Sequence, residues 1–257
     1  PRNYATPRIS PDGTRVIVQA SGLWIQDLAR ATFTRVISKE EAMTAFPIWT
    51  PDGRRIVVRG ARGLTIYDAD GGRSEVIPGT SSFDYPGTVA NDNDTMVFFR
   101  ASQDTSFDIF GASLRDPKSI RPILKTPAYE AGARLSPNGK WLSYVSNESG
   151  QYEVYVRPFS GADRRWPVST DGGTQAVWNL NGRELFYRSG NRMMAVDVTE
   201  AGDMLTLSPP HLLFDGRYAF SAGITIANYD ISRDGQKFLM VKNDAGAGRL
   251  NVVLNAF

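Results

Sequence analysis

The chain has 257 residues, 41% of them hydrophobic and 11% aromatic, which is ample for a packed core and excludes a disordered chain. Its 29 basic and 27 acidic residues nearly balance, so composition gives no indication of a nucleic-acid or other polyanionic partner. The absence of cysteine excludes a disulfide framework, a thiolate metal site and a cysteine nucleophile, and no apolar run approaches the roughly 18 residues of a membrane span.

The first predicted element is a short strand that leads into a tight turn, and this turn recurs along the chain. Proline presets φ at the first corner, aspartate or asparagine hydrogen-bonds nearby backbone, and glycine accepts the positive φ of the exit. An apolar strand follows each copy, so each copy predicts a hairpin. The copies are Ser-Pro-Asp-Gly at 10–13, Thr-Pro-Asp-Gly at 50–53, Ser-Pro-Asn-Gly at 136–139, and weaker versions at 90–93, 179–182 and 232–235.

The last residues of successive turns are 40, 40, 46, 43 and 53 positions apart. Such intervals, with four short strands in each, are typical of propeller blades. In each repeat we expect a short innermost strand, an apolar second strand, a third strand with period-two alternation, and an outer strand carrying proline and charge. The predicted blades are 7–38, 46–78, 85–125, 130–169, 174–215 and 228–257.

These patterns predict an all-β fold: a six-bladed β-propeller of four-stranded antiparallel blades, forming a single domain over residues 1–257. The sixth repeat stops after its third strand, at 250–254. We therefore expect the last blade to lack its outer strand, or to be completed poorly by residues 2–4.

The repeated turns resemble those of the TolB-like six-bladed propellers, a WD-like family with Pro-Asp repeats, over nearly the whole chain. Residues 134–150, 152–159, 182–188 and 251–255 resemble the C-terminal propellers of bacterial membrane-anchored serine/threonine kinase-like proteins. This resemblance implies a periplasmic or cell-surface sensing or docking domain of a larger protein. The sequence itself contains none of the phosphate-loop, catalytic-loop or Asp-Phe-Gly motifs of a kinase.

One face of the innermost strands carries unexpected charge. Arg8 and Asp230 belong to the first and last blades, which adjoin when the ring closes, so we predict an ion pair that fixes the register of closure. Arg134 lies in the fourth blade with no such partner. It could point into the central channel as an anion anchor, join another ion pair, or hydrogen-bond a carbonyl.

Two loops that precede innermost strands carry aromatic residues. The insertion at 216–228 contains Tyr218 and Phe220, and the loop at 81–86 contains Phe83 and Tyr85. Both loops should lie at the same end of the channel. Tyrosine and phenylalanine are typical of binding surfaces, so these residues predict a binding mouth, although a loop that plugs the axis is an equal alternative.

Other candidate sites have plainer explanations. His211, the one histidine, falls on an outer strand, away from any cleft that a Ser-His-Asp mechanism needs. The carboxylate pairs Asp68/Asp70 and Asp92/Asp94 lack a metal-loop spacing and fit solvated turns. We therefore predict no catalytic residue, no metal site and no cofactor.

The expected function is a non-catalytic sensing or protein-interaction module. It would be monomeric and would bind a protein, a peptide or a small ligand through the channel mouth. The alternative is a hydrolase or lyase-type enzyme with a small-molecule or carbohydrate site in the channel. A deep pocket with converging carboxylates would favour the enzyme, and a plugged channel beneath a flat aromatic rim would favour the docking module.

Overall fold

The strands of this protein form antiparallel sheets in which consecutive strands pair, with one exception in the fifth blade. The computed structural model describes residues 5–38, 46–161, 163–220, 225–244 and 247–254. Apart from a 3₁₀ turn at Pro117–Ser119, the regular structure in these ranges is β-strand. No helix within them has the length and hydrophobicity of a membrane span. The fold is all-β, with the sheets arranged as a β-propeller.

The first three blades each have four strands, the innermost coming first in sequence in every blade. The strands are β1 (Ala5–Ile9), β2 (Arg15–Gln19), β3 (Leu23–Asp27) and β4 (Thr32–Ile37); β5 (Ile48–Trp49), β6 (Arg55–Gly60), β7 (Gly63–Asp68) and β8 (Ser74–Val76); β9 (Asp84–Val89), β10 (Thr95–Ser102), β11 (Ser106–Ser113) and β12 (Arg121–Leu124).

The fourth blade repeats this plan, the fifth gains a strand, and the sixth sheet has three strands within the described residues. The strands are β13 (Glu130–Leu135), β14 (Trp141–Ser146), β15 (Glu153–Pro158) and β16 (Trp166–Pro167); β17 (Thr174–Trp178), β18 (Glu184–Ser189), β19 (Arg192–Ala201), β20 (Met204–Leu207) and β21 (His211–Asp215); β22 (Tyr229–Ile231), β23 (Lys237–Asp244) and β24 (Ala247–Leu254).

Five blades are therefore complete, and the sixth sheet is three-stranded where the structure describes it. Residues 2–4, offered above as a possible completion of the last blade, lie outside the described residues. The fifth blade departs from the prediction. Its third strand continues into an extra hairpin, β19–β20, before the outer strand β21 returns to pair with β19. The sequence analysis missed this hairpin.

The recurrent turn is held by its own side chains. In the first copy the Ser10 hydroxyl donates to Asp12 Oδ1 at 2.5 Å, and the same oxygen accepts the Thr14 amide at 3.0 Å. Gly13 has φ +76° and donates its amide to the Ser10 carbonyl at 2.8 Å. Asn138 accepts in the same way in the fourth blade. Six turns of this kind fix the hairpins and so bring the innermost strands to one axis.

These turns should make stability depend on acidity. The Ser10 hydroxyl and the Thr14 amide lower the pKa of Asp12 to about 2. The pKa values of three equivalent or near-equivalent turn residues are also lowered, those of Asp52, Asp92 and Asp234. Because each folded pKa lies below the unfolded value of about 3.9, this stabilisation is present above about pH 4 and is lost as the pH falls towards 2.

Replacing these four aspartates by asparagine should flatten that dependence, because asparagine keeps the acceptor but does not titrate. The measurement is the urea midpoint of unfolding from about pH 5 to about pH 2.5 for the parent and the fourfold variant. We expect a smaller drop for the variant. An equal drop in both proteins would show that other groups control the acid response.

The innermost strands share a second device, a β-bulge with a left-handed residue. Register shifts occur in β1, β13 and β17, each just before the residue that faces the channel. A bulge redirects the side chains that follow it. At Gly132 a Cβ would lie 2.8 Å from the Thr225 carbonyl oxygen, so only glycine fits there without a shift. Residues with positive φ two positions before a channel-facing residue are Thr6, Phe46, Gly132 and Gln175.

Candidate functional site

The central channel is open where the innermost strands end in the recurrent turns. A cavity of about 230 Å³ lies there on the axis, space for about seven waters at their liquid volume. One residue from each innermost strand faces it, and the turns form its rim. The inner residues are Arg8, Ile48, Thr88, Arg134, Val177 and Asp230, and the rim includes Pro11, Pro51, Asn91, Pro137, Leu180 and Arg233.

The opposite end of the channel, where the innermost strands begin, is nearly closed. A residual cavity of about 10 Å³ remains between Phe46, Pro86, Phe99 and Ile226. That is at most the space of one water. Gly87 permits the tight approach, because a Cβ there would lie 2.4 Å from the Ala133 carbonyl oxygen. Within the described residues, access to the channel is therefore from the turn end.

The Arg8 guanidinium forms hydrogen bonds that close the ring. Its side chain is buried, and Nη2 donates to the Ala227 carbonyl at 2.8 Å. Nη1 donates to the carbonyls of Pro7, at 2.7 Å, and Tyr229, at 3.2 Å. Arg8 thus joins the first blade to the backbone of the sixth. Burial lowers the pKa of Arg8, nearby Arg134 lowers it further, and Asp230 opposes both effects.

The predicted ion pair between Arg8 and Asp230 is wrong. Asp230 Oδ2 instead accepts the Ile9 amide at 2.7 Å, and the Arg8 guanidinium donates to carbonyls. Each charged side chain therefore hydrogen-bonds to the backbone of the adjoining blade and not to the other side chain. A third bridge comes from Asn228, whose Oδ1 accepts the Thr6 amide at 2.7 Å. Burial raises the pKa of Asp230, while Arg8 and then Arg134 act to lower it.

Arg134 occupies the position in the fourth blade that Arg8 occupies in the first, yet it is used differently. It is half-buried and lines both cavities of the channel. No residue in the described part of the chain accepts a hydrogen bond from its guanidinium or forms a salt bridge with it. Only its backbone is engaged: the Arg134 carbonyl accepts the Trp178 indole N–H at 3.3 Å, as the Arg8 carbonyl accepts that of Trp49 at 3.1 Å.

The electrostatics of the pocket favour an anion. Arg8, Arg134 and the exposed rim residue Arg233 face a single carboxylate, Asp230, among the described lining residues. Arg8 and Arg134 lie close enough for their charges to oppose one another. A ligand with one negative charge would relieve that repulsion, because the interaction strengthens as water is excluded.

The aromatic residues of the 81–86 loop do not form one binding surface. Tyr85 is buried and stacks on Phe99 with ring centroids 5.4 Å apart, in the cluster that closes the loop end of the channel. The Arg59 guanidinium also lies over the Tyr85 ring, 4.2 Å from its centroid. Phe83, in contrast, is 61% exposed. Tyr85 is thus a core residue, and Phe83 is on the surface.

The second predicted loop is divided in the same way. Tyr218 is half-buried against Phe214, with ring centroids 6.0 Å apart. Phe220 is 48% exposed, with the Arg188 guanidinium 5.3 Å from its ring centroid. Arg188 also donates to the Ala219 carbonyl at 2.9 Å and so anchors this segment. Residues 221–224 of the insertion lie outside the described residues. Both predicted loops approach the end of the channel that is nearly closed.

The remaining candidates lie outside the lining of the channel pocket. His211 is exposed at the start of the outer strand β21. The described residues contain no group of three or more histidine or carboxylate side chains arranged to hold a metal ion. Asp92 accepts the amides of Asp94 and Thr95 at 2.8 Å each, as a turn residue should.

The rim of the pocket was not predicted from the sequence. Pro11, Leu180 and Arg233 belong to copies of the repeated turn, which was treated only as structural. The signal was present, because the turns follow the innermost strands and must therefore gather around the axis. Among them, Leu180 is 51% exposed, an apolar side chain in an otherwise polar turn.

Comparisons place the fold among known propellers. No family model matches the sequence, and no curated protein matches it. TolB from Acinetobacter baumannii is 16% identical with a TM-score of 0.71, over 98% of this chain and 60% of TolB, so the chain spans less than two thirds of that protein. A putative TolB from Agrobacterium tumefaciens is 14% identical with a TM-score of 0.65, over 99% of this chain and 83% of that one.

An enzyme has the same fold. Oligogalacturonate lyase from Vibrio parahaemolyticus is 10% identical with a TM-score of 0.62, over 98% of this chain and 89% of the lyase. Identities of 10 to 16% show the fold alone. The chain is similar to TolB and to oligogalacturonate lyase in architecture, and its fold is that of a TolB-like β-propeller.

Proposed function

We propose that this chain is a non-catalytic binding module that holds a segment of a protein partner in the open end of its channel. The observation that carries the proposal is the 230 Å³ pocket on the axis, entered between the recurrent turns and lined by unlike charges and apolar walls. Pockets of this kind, apolar with a few polar groups aimed inward, are typical binding sites.

The contents of the pocket support binding over acid–base chemistry. An enzyme that cleaves glycosidic bonds by hydrolysis needs two carboxylates across its cleft, whereas Asp230 is the one carboxylate among the described lining residues. Its Oδ2 already accepts the Ile9 amide. The similarity to oligogalacturonate lyase keeps a lyase-type activity as the alternative, although at 10% identity it carries no site residue to this chain.

The setting of the module is also a proposal. The sequence resemblance to membrane-anchored kinase-like proteins supports an extracytoplasmic sensing or docking domain of a larger bacterial protein. The kinase-like context rests on that resemblance alone. In this setting the module would act as a monomer, with the turn end of the channel free to receive its partner.

A channel-filling variant tests the proposed function. Thr88 is half-buried and faces the pocket, so Thr88→Phe should occupy space that a ligand needs. Peptides selected from a random display library on the parent protein should bind this variant at least about tenfold more weakly. The matched control is Thr34→Phe, the same change at an exposed position of the outer strand β4.

Affinities measured by titration calorimetry decide the outcome. We expect Thr34→Phe to bind like the parent. Selected peptides that bind Thr88→Phe as tightly as the parent, or a library that yields no binder, would contradict a binding role for the channel.

A further inference from the structure

We infer that the channel pocket recognises the C-terminal carboxylate of a peptide, and that the Arg134 guanidinium is its anchor. This inference rests on the proposed function and names the chemistry of the partner. It starts from a contrast between two equivalent arginines, one engaged in the ring closure and the other unengaged in the channel.

The unengaged donors of Arg134 are the first argument. A guanidinium presents five N–H donors in a planar fork, and two parallel bonds to a carboxylate are its strongest common pairing. The terminal nitrogens of Arg8 donate hydrogen bonds to the carbonyls of Pro7, Ala227 and Tyr229. Arg134 has no described acceptor for any donor and is half-buried on the wall of a cavity. A half-buried cation with no described partner at hydrogen-bonding distance favours an anion in that cavity.

Charge favours a single carboxylate in the inner part of the pocket. Two arginines and one aspartate line that part, an excess of one positive charge, and Arg233 adds a further positive charge at the rim. Asp230 would repel a phosphate or another multiply charged group. A carboxylate neutralises the excess, and the Asp230 side chain remains available to accept an N–H from the ligand backbone.

Size and walls favour the end of a peptide. The cavity of 230 Å³ is below the roughly 300–1,000 Å³ of sites that enclose a whole small molecule. Ile48 and Val177 form apolar walls beside the charged groups, and Leu180 stands at the rim. The pocket therefore fits a carboxylate with an apolar residue next to it, and the rest of the chain would run over the rim.

Tryptophan side chains provide a direct reporter. The indoles of Trp49 and Trp178 belong to the pocket lining, and their N–H groups bind the carbonyls of Arg8 and Arg134. The other three tryptophans, Trp24, Trp141 and Trp166, are absent from that lining. Nitrogen-15 labelled protein would be titrated with N-acetyl-Ala-Leu carrying a free carboxylate, and separately with its C-terminal amide.

We expect the acid peptide to shift the Trp49 and Trp178 indole signals saturably, and the amide to bind at least about tenfold more weakly. Arg134→Met should lose the acid peptide to the same extent, whereas Arg73→Met, at a side chain that is 81% exposed, should bind like the parent. Arg134→Gln serves as a second uncharged variant, and the melting temperature of each variant shows whether a loss of binding comes from unfolding.

Several results would overturn the inference. These are equal affinity for acid and amide, full affinity in both Arg134 variants, or tighter binding of trigalacturonate, which would identify a sugar acid as the ligand. The proposed function fails separately: Thr88→Phe would then leave peptide binding intact. If Thr88→Phe lost binding but acid and amide bound equally, the proposed binding function would stand and only the recognition of a carboxylate would be wrong.

Discussion

Arg8→Met is expected to lower the free energy of unfolding by about 2–6 kcal/mol, because two buried carbonyl acceptors lose their donor at about 1–3 kcal/mol each. The change deletes the donors to the carbonyls of Ala227 and Tyr229 and leaves these buried acceptors unsatisfied. It also removes a positive charge that acts to lower the pKa of Asp230 beside the seam. The first and sixth blades would then be joined through Asp230 and Asn228 alone among the side-chain bonds described above.

Urea unfolding measures this effect, and the equivalent arginine supplies the control. Arg134→Met, at the same position in the fourth blade, should cost less than about 1 kcal/mol because its guanidinium leaves no described acceptor unsatisfied. If Arg8→Met were no more destabilising than Arg134→Met, the ring closure described here would be wrong.

Arg100→Met is expected to cost about 3 kcal/mol. Asp84 is fully buried and accepts two bonds from Arg100, from Nε at 2.6 Å and from Nη2 at 2.8 Å. It also accepts the Ser81 amide at 2.8 Å, which orders the loop before the third blade. Removing the guanidinium leaves a buried carboxylate with one described donor.

A double variant separates the cost of losing the Asp84–Arg100 ion pair from the cost of leaving the buried Asp84 charge unpaired. Asp84→Asn/Arg100→Met should be more stable than Arg100→Met alone, because asparagine carries no charge and can still accept the Ser81 amide. The exposed pair Arg73–Glu75, 3.8 Å apart, provides the reference, and Arg73→Met should cost less than about 0.5 kcal/mol. An Arg100→Met variant as stable as Arg73→Met would show that the Asp84 carboxylate does not depend on its partner.

The propeller could be predicted from local chemistry because its turns act within a few residues. Ser10, Asp12 and Gly13 form these bonds with one another and with the next two residues, so the local sequence is sufficient to identify the turn. The small residues on the innermost strands were predictable for a similar reason, since Gly87 and Ala133 lie where neighbouring strands approach most closely.

The features that depend on the bulges and on the assembled ring could not be predicted. A residue with left-handed φ at Thr6 or Gln175 redirects the side chains that follow, and no glycine marks either position. Arg8 and Asp230 were correctly placed near one another, but their choice of backbone over each other depends on where the carbonyls of the sixth blade and the Ile9 amide lie at the seam. Which end of the channel is closed depends on aromatic packing between blades, such as that of Phe46 against Tyr85.

A crystal structure of the protein with N-acetyl-Ala-Leu bound would test the central claim most directly. The account predicts the peptide carboxylate within hydrogen-bonding distance of the Arg134 guanidinium, in the cavity between the recurrent turns. A peptide seated instead at the other end of the channel, against Phe83 or Phe220, would contradict it.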